Sequence, residues 1–434
     1  MKTEKIEKTL EEKKSGAPYS TTERVCSVPL YEYPSSITKP EELKGKTVVF
    51  GDMHGNSVKL LHHLIEKGIV SLPENDYLTF VAYYAQWEQP EDGLDLDHEI
   101  KIFNEMVISK MTVNKPEDFK LQLMGDLISD RGKNDLWTFM LLEELDKQKL
   151  DFSISLSNHD LEFFSTFEIG HGSMGYSSET ASIFPLSGRY KGQYQYKEMN
   201  EIPHIANWVK LVLSKTQFIP YEIGADEDGM PIIHIFPHAP IYPVTIVDAA
   251  KELGLEVPEK IDTVGELAKL LDKMNNKVSQ MLSSDNADER KNFLRKLVDG
   301  TALPKCIWQR ENEKGLSQKT SLKEARGIIS EQVNMINTYG HDSSDPTWAV
   351  YCVEQKIYTQ VNRVNNHFGH PKIGSYFGLP THPKHEKEKI ITTSGAIRPT
   401  HVYHLDKSDK ALSNITEKLT LKNTEGNSTN TFKK

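Results

Sequence analysis

Asp52 and His54 stand two residues apart where the run Val48-Val49-Phe50 ends, and at that spacing a carboxylate and an imidazole can face one metal ion. The same plan recurs twice. Leu121-Gln122-Leu123-Met124 runs into Gly125-Asp126, with Asp130-Arg131-Gly132 just beyond, and Phe152-Ser153-Ile154-Ser155-Leu156 runs into Asn158-His159-Asp160. Oxygen and nitrogen donors without thiolate suit manganese, iron or zinc and do not choose among them, and an arginine's planar fork suits an oxyanion.

Such groups need elements to position them. Each apolar run reads as a strand that brings its polar residues to a carboxyl end. Gly51 and Gly55 let the backbone turn tightly, and Ser57 is placed to cap a helix with the apolar face Leu60, Leu61, Leu64 and Ile65. Leu136, Phe139, Met140 and Leu145 predict a helix leading into the third strand, a βαβαβ order. From Asp52 to Asp126 is 126 − 52 = 74 positions, against roughly 30 for a βαβ unit, so part of 74–118 is extra. Within it Asn75–Tyr84 reads as β-rich and 86–98 as a polar loop, and Asp92, Asp95, Asp97 and Glu99 read as a solvated face without the spacing of a calcium loop.

Taken together, the three segments resemble the calcineurin-like metallophosphoesterases, and most closely their phosphoprotein phosphatase branch, whose pattern reads Gly-Asp-x-His-Gly, Gly-Asp-x-Val-Asp-Arg-Gly and Gly-Asn-His-Glu. This chain departs from it in three places: one extra residue before Asp130, Ser157 for the Gly, and Asp160 for the Glu. Further on, His238 in Phe236-Pro237-His238-Ala239 matches the family's later histidine, and Trp308-Gln309-Arg310-Glu311 resembles the Trp-Ser-Arg-Glu segment of bacterial members. For the last ligand, His370 is preferred to His341, because Ile390-Ile391-Thr392-Thr393-Ser394-Gly395-Ala396 supplies the hairpin and Gly-Ala sequel that follow the family's Gly-His turn. His234 shares a strand with His238 and reads first as a hydrogen-bonded strand residue.

The resemblance implies an α/β (α+β) fold, a metallophosphoesterase β-sandwich of mixed sheets flanked by helices, with an inserted α-helical hairpin. The expected organisation is a charged, partly disordered segment 1–28, the phosphatase domain in two parts, 29–244 and 304–404, a helical insertion 245–303, and a disordered polar tail 405–434. Gly170–Tyr196, rich in Gly, Ser and Tyr, reads as a long loop able to overhang the site. In the insertion, Thr263-Val264-Gly265-Glu266 is a capping box, Asp285 is placed to cap the next helix, and Gly300 to end it. Two readings of the hairpin at about 262–300 stay open: added cover for the core, or a platform for a protein partner or substrate.

For chemistry, the resemblance implies two divalent metal ions, manganese foremost with iron or zinc as alternatives, held by Asp52, His54, Asp126, Asn158, His238 and His370 and bridged by the attacking hydroxide. His159 is expected to protonate the leaving oxygen, oriented by Asp130 or, given the extra residue before it, by Asp160. Arg131, Arg310 and Asn158 are expected to bind the phosphate of a phosphoserine, phosphothreonine or phosphotyrosine protein. Bacterial members of the branch include effectors delivered into host cells, and the inserted hairpin resembles that of the Wip group among them. Two other readings are a dinucleoside polyphosphate hydrolase, to which the Trp-x-Arg-Glu segment is also similar, and a binding protein on an inactive scaffold.

Composition narrows the rest. A formal net charge of −10 gives no basic field for nucleic acid. No apolar run reaches the roughly 18 residues of a membrane span, so a soluble chain is expected, acting either where it is made or in a host cytoplasm. Three cysteines, Cys26, Cys306 and Cys352, suit a reducing compartment. None has an Arg six positions later, and Cys306 lies four before Arg310, so thiolate catalysis is rejected.

Overall fold

The structure, a computed structural model, describes residues 5–9, 22–29, 32–34, 37–51, 53, 55–87, 96–128, 135–169, 203–225, 231–239, 241–309, 328–330, 333–339, 359–370, 373–378, 390–392 and 400–404. Its centre is a five-stranded, wholly parallel sheet in the order β14 (Ile390–Thr392), β3 (Thr47–Phe50), β6 (Lys120–Leu123), β7 (Phe152–Ser155) and β8 (Thr216–Gln217). A second, mixed sheet runs β13 (Ile373–Gly378), β12 (Thr359–His370), β11 (Asn334–Tyr339), β10 (Pro231–Ile235) and β9 (Tyr221–Ala225). The fold is therefore α/β, as expected, with one sheet more regular than the mixed pair anticipated.

Alternation along β3 explains the layering. Val48 and Phe50 belong to the large apolar core with Leu60, Leu61 and Leu64 of helix α1 (Ser57–Glu66), while Val49 turns the other way to Met124 and Phe236. A strand apolar on both faces has to be covered on both, here by helices on one side and the second sheet on the other. Between the sheets lies a polar seam. Gln122 Nε2 donates to Ser155 Oγ at 3.1 Å, Ser153 Oγ donates to Gln122 Oε1 at 2.6 Å, and Ser155 Oγ donates to the Phe236 carbonyl, fixing the end of β10 to β7.

Several local expectations change. Asn56, not Ser57, caps α1, its side chain accepting from Lys59 N at 3.0 Å. The stretch read as β-rich is helix α2 (Glu74–Trp87), followed by α3 (Leu96–Phe103) and a π-turn over Asn104–Ile108. Their aromatic residues answer to burial rather than to a strand period: Phe80, Tyr84 and Phe103 surround Trp137 of α4 (Asp135–Lys147), Phe103 stacked on it at 5.6 Å. Glu99, read as part of a solvated face, is buried and accepts from Tyr83 OH at 3.0 Å. A short sheet of β4 (Val70–Ser71) and β5 (Thr112–Val113) closes this extra layer.

At the chain's ends β1 (Lys5–Thr9), β2 (Thr22–Pro29) and β15 (Thr400–His404) form a three-stranded sheet. Helices α5 (Asn158–Ile169), α6 (Pro203–Lys215) and α7 (Pro243–Glu252) complete the cover. The insertion forms α8 (Val264–Leu282), started by the Thr263 and Glu266 capping box, and α9 (Ala287–Asp299), capped by Asn286 rather than Asp285. These two helices pack on each other, and also on the phosphatase elements: α8 on β8, β9 and β10, α9 on α5. Asn275 of α8 accepts from Ile219 N at 2.8 Å and donates to Ile219 O at 2.9 Å, and Arg290 of α9 pairs with Glu168 of α5 at 2.9 Å. The Gly170–Tyr196 loop and the tail 405–434 lie outside the described residues.

Candidate metal and phosphate site

Three strand ends meet here. After β6 the backbone turns through Gly125 (φ 85°) and Asp126 (φ 46°), both left-handed. Gly125 is obligatory, because a Cβ there would lie 2.5 Å from both the Ser155 carbonyl and Ser157 Cβ. The adjoining turn is laced to this one: Met53 N donates to Asp126 O at 2.9 Å and Gly55 N to Leu127 O at 2.8 Å. Met53 and Gly55 are the sequence neighbours of Asp52 and His54, which themselves lie outside the described residues.

Asp126, Asn158 and His238 come together at these ends, all buried. His238 Nδ1 lies 2.8 Å from the Met124 carbonyl, which can only accept, so Nδ1 carries a proton. The other nitrogen, Nε2, then faces Asn158 Oδ1 at 2.8 Å and Asp126 Oδ2 at 3.3 Å. Two oxygens thus converge on one imidazole nitrogen, an arrangement that a shared proton or a cation completes. An imidazole fixed by its Nδ1–H on a backbone carbonyl is also the usual posture of a metal-bound histidine. The donor set of imidazole nitrogen, carboxamide oxygen and carboxylate therefore fits a divalent transition metal. Among the described residues no three His, Cys, Asp or Glu side chains form such a cluster by themselves; Asn158 is the third member here.

Two residues outside the proposed ligand set hold this corner. Ser157, where the family pattern has Gly, accepts from Asp126 N at 2.8 Å and from Asp160 N at 3.2 Å, so its hydroxyl both secures the Asp126 turn and caps α5. The signal was present as Ser-x-x-Asp, a capping pattern at a strand-to-helix turn. Asp160 Oδ1 accepts from Leu127 N at 3.1 Å and Ile128 N at 3.3 Å, so this carboxylate braces the Asp126 loop. Burial, and then the neighbouring Asp126 charge, push the Asp160 carboxyl up to about 7.

His159 follows Asn158 on the first turn of α5, and its backbone N donates to Asp126 Oδ1 at 3.2 Å. Its ring Nδ1 lies 3.8 Å from Glu162 Oε2, a buried carboxylate one turn along the same helix. Of the remaining expected site residues, Asp130, Arg131 and Arg310 lie outside the described residues, as does His341. His370 is described by its backbone, as the last residue of β12, where the register against β13 shifts between Phe368 and His370. His234 is buried within β10, opposite Glu222 of β9, with its ring over Gly224.

The approach to Arg310 is braced. Glu252, at the end of α7, accepts from the backbone N–H groups of Thr301, Ala302 and Leu303 at 3.1, 2.6 and 3.1 Å, ahead of α10 (Lys305–Trp308). Cys306 on that helix is buried and its thiol is pushed up by burial, the opposite of what a nucleophilic thiolate requires.

Comparison with known proteins agrees with this fold. Residues 120–369 match the family described as "WipA-like, phosphatase domain". That span contains Asp126, Asn158, His159, His238 and Arg310, ends one residue before His370, and begins after Asp52 and His54. The fold is similar to the crystal structure of the phosphatase domain from the Legionella effector WipB, with a TM-score of 0.51 at 21% identity, covering 68% of this chain and 99% of that one. No curated protein matches the chain. Among the described residues no helix is long and apolar enough to cross a membrane.

Proposed function

The chain belongs to the WipA-like phosphatase-domain family, and from that premise we propose that this phosphatase is a metal-dependent enzyme that hydrolyses phosphoproteins and works as a bacterial effector on host targets. The observation that carries the metal dependence is the convergence of Asp126 Oδ2 and Asn158 Oδ1 on His238 Nε2, at the carboxyl ends of strands from both sheets. Its donor types favour manganese, iron or zinc.

In this reading Asp126, Asn158 and His238 hold the metals together with Asp52, His54 and His370. Two divalent ions supply an activated water and neutralise charge on the phosphoryl oxygens. The chain's own groups do the rest. Arg131 and Arg310 grip the phosphate through bidentate forks, which an acidic protein with a charge of −10 needs in order to bind an anion at all. Asn158 adds its carboxamide to the same substrate. His159 gives a proton to the departing seryl, threonyl or tyrosyl oxygen, with Asp130 as a further carboxylate of the acid machinery. Delivery to a host is supported by likeness to a protein titled an effector. The exposed face of the hairpin, with Lys269, Lys273 and Arg295, is offered as the surface for a protein substrate or partner.

The test is release of inorganic phosphate from a panel of phosphoserine, phosphothreonine and phosphotyrosine peptides by chelator-treated protein, with Mn2+, Fe2+ and Zn2+ restored in turn. Metal-restored release from one or more peptides is the expected result. Turnover of diadenosine tetraphosphate without peptide turnover would replace the substrate class. Full activity after exhaustive metal removal would end the metal-dependent reading.

A further inference from the structure

His159 is anchored at its backbone by Asp126 Oδ1, but that bond does not fix the imidazole ring. Asp160, adjacent in sequence, has its Oδ1 committed to the Leu127 and Ile128 amides. Glu162 is placed differently. It lies three residues after His159, so both side chains rise from the same face of α5, and the Glu162 carboxylate is 6% exposed with Oε2 at 3.8 Å from His159 Nδ1. A buried carboxylate beside one ring nitrogen selects the tautomer with the proton on that nitrogen and leaves the other to face the reacting group. Contacts of this kind are often long in a free enzyme and shorten when substrate arrives.

From this geometry we infer that Glu162 is a positioning residue for His159: it accepts Nδ1–H and holds the ring plane so that Nε2, which carries the donated proton in the doubly protonated ring, faces the leaving oxygen, and the neutral Nδ1–H form remains once that proton has gone. The inference rests on the phosphatase reading for its catalytic meaning, but its structural content stands apart. Glu162 belongs to no motif of the family pattern, which places the orienting carboxylate at the position matched by Asp130. α9 lies against α5, so the helix carrying the pair is itself supported by the insertion.

The experiment combines two readouts on the full chain. Protein labelled with 15N in histidine is examined by long-range 1H–15N correlation to assign the His159 tautomer. In parallel, turnover is measured with metals bound on aryl phosphates from p-nitrophenyl to phenyl. Glu162→Met removes the acceptor while keeping an apolar side chain of similar length; Glu162→Gln keeps an acceptor in the same shape. The expected result is Nδ1–H in the native protein and in Glu162→Gln, and a shift toward Nε2–H in Glu162→Met. Glu162→Met should lower kcat for phenyl phosphate by about 10- to 100-fold and much less for p-nitrophenyl phosphate, with KM and metal content unchanged. In a His159→Asn background Glu162→Met should cost nothing further, since both act through one proton.

An unchanged tautomer in Glu162→Met overturns the inference. So does equal loss across leaving groups, additivity with His159→Asn, or a tautomer that responds to Asp130→Asn alone. A native protein with no phosphatase turnover but a Glu162-dependent tautomer would fail the proposed function and leave the positioning role standing.

Discussion

Asp126 and His159 sit 33 positions apart and share one hydrogen bond, yet their replacements should part company. Asp126→Asn removes a charge facing His238 Nε2, so it should lower bound metal as well as rate, measured by metal analysis after gel filtration. In the proposed mechanism His159→Asn removes the proton donor alone, so it should leave metal binding intact and cut turnover by roughly 10²–10⁴, most for poor leaving groups. Metal loss in His159→Asn with none in Asp126→Asn would exchange the two roles. The types and order of these residues were legible in the sequence because each follows an apolar run that ends in a turn. Ser157 was legible as a helix cap through Ser-x-x-Asp but not as the brace of the Asp126 amide, and Glu162, a glutamate one turn into a helix, has no meaning until the His159 ring is placed beside it. His63 gives a residue-scale test of a different kind. Burial in α1, with Lys59 and His62 acting the same way and Glu66 against them, brings its pKa from 6.5 down to about 3. The folded state therefore keeps His63 neutral while the unfolded chain protonates it below about 6.5, so stability is lost as pH falls through the window from 6.5 toward 3. In His63→Gln, denaturant midpoints taken from pH 7 to pH 5 should fall less steeply than in the native protein; parallel curves would mean that His63 is not the titrating group.

At the scale of elements, strands were easier to read than helices wherever one face was ambiguous. β3, β6 and β7 declared themselves by short apolar runs, and the α8 capping box by two residues. Phe80, Tyr83 and Tyr84 raised the β propensity of what is α2, because aromatic residues needed to surround Trp137 look like strand formers until that partner is known. The insertion shows the same limit: its apolar stripes predicted two helices, but not that both stripes would lie on the phosphatase. α8 buries Leu267, Leu271 and Met274 and binds both backbone groups of Ile219, one residue after the buried Phe218 and two before β9. Asn275→Ala should leave those Ile219 groups short of partners and cost about 1–3 kcal/mol, seen as a lower denaturant midpoint with turnover per folded molecule retained. Deleting α8 and α9 outright should be far worse, giving insoluble protein, because α5 and the β8–β10 edge would lose apolar cover. A soluble deletion variant with native turnover would instead make the insertion a separate module. Its recognition role is reached more cleanly by charge: Lys269→Glu with Lys273→Glu should spare aryl phosphate turnover and lower turnover of the phosphoprotein substrate, and equal rates on that substrate would remove this face from recognition.

For the whole molecule, the proposed ligands are spread from position 52 to position 370, across β3, β6, α5, β10 and β12. Of these, Asp126, Asn158 and His238 meet in one small volume at the ends of strands from both sheets, and Ser155, itself bonded to Gln122, ties the sheets together through the Phe236 carbonyl. That volume gathers Asp126 Oδ2, Asn158 Oδ1 and His238 Nε2, with Asp160 buried alongside. A cation held there by the folded chain and not by the unfolded one should stabilise the entire molecule and not only the site. At a free metal concentration a hundredfold above Kd the gain is about 2.7 kcal/mol. Adding Mn2+ to chelator-treated protein should therefore raise Tm in a concentration-dependent way, with the same increase in His159→Asn and little or none in Asp126→Asn. Because Tm is read without substrate, this result is independent of what substrate the phosphatase takes. Failure of Mn2+, Fe2+ and Zn2+ alike to move Tm would mean that these strand ends do not form a metal centre, whatever their side chains suggest.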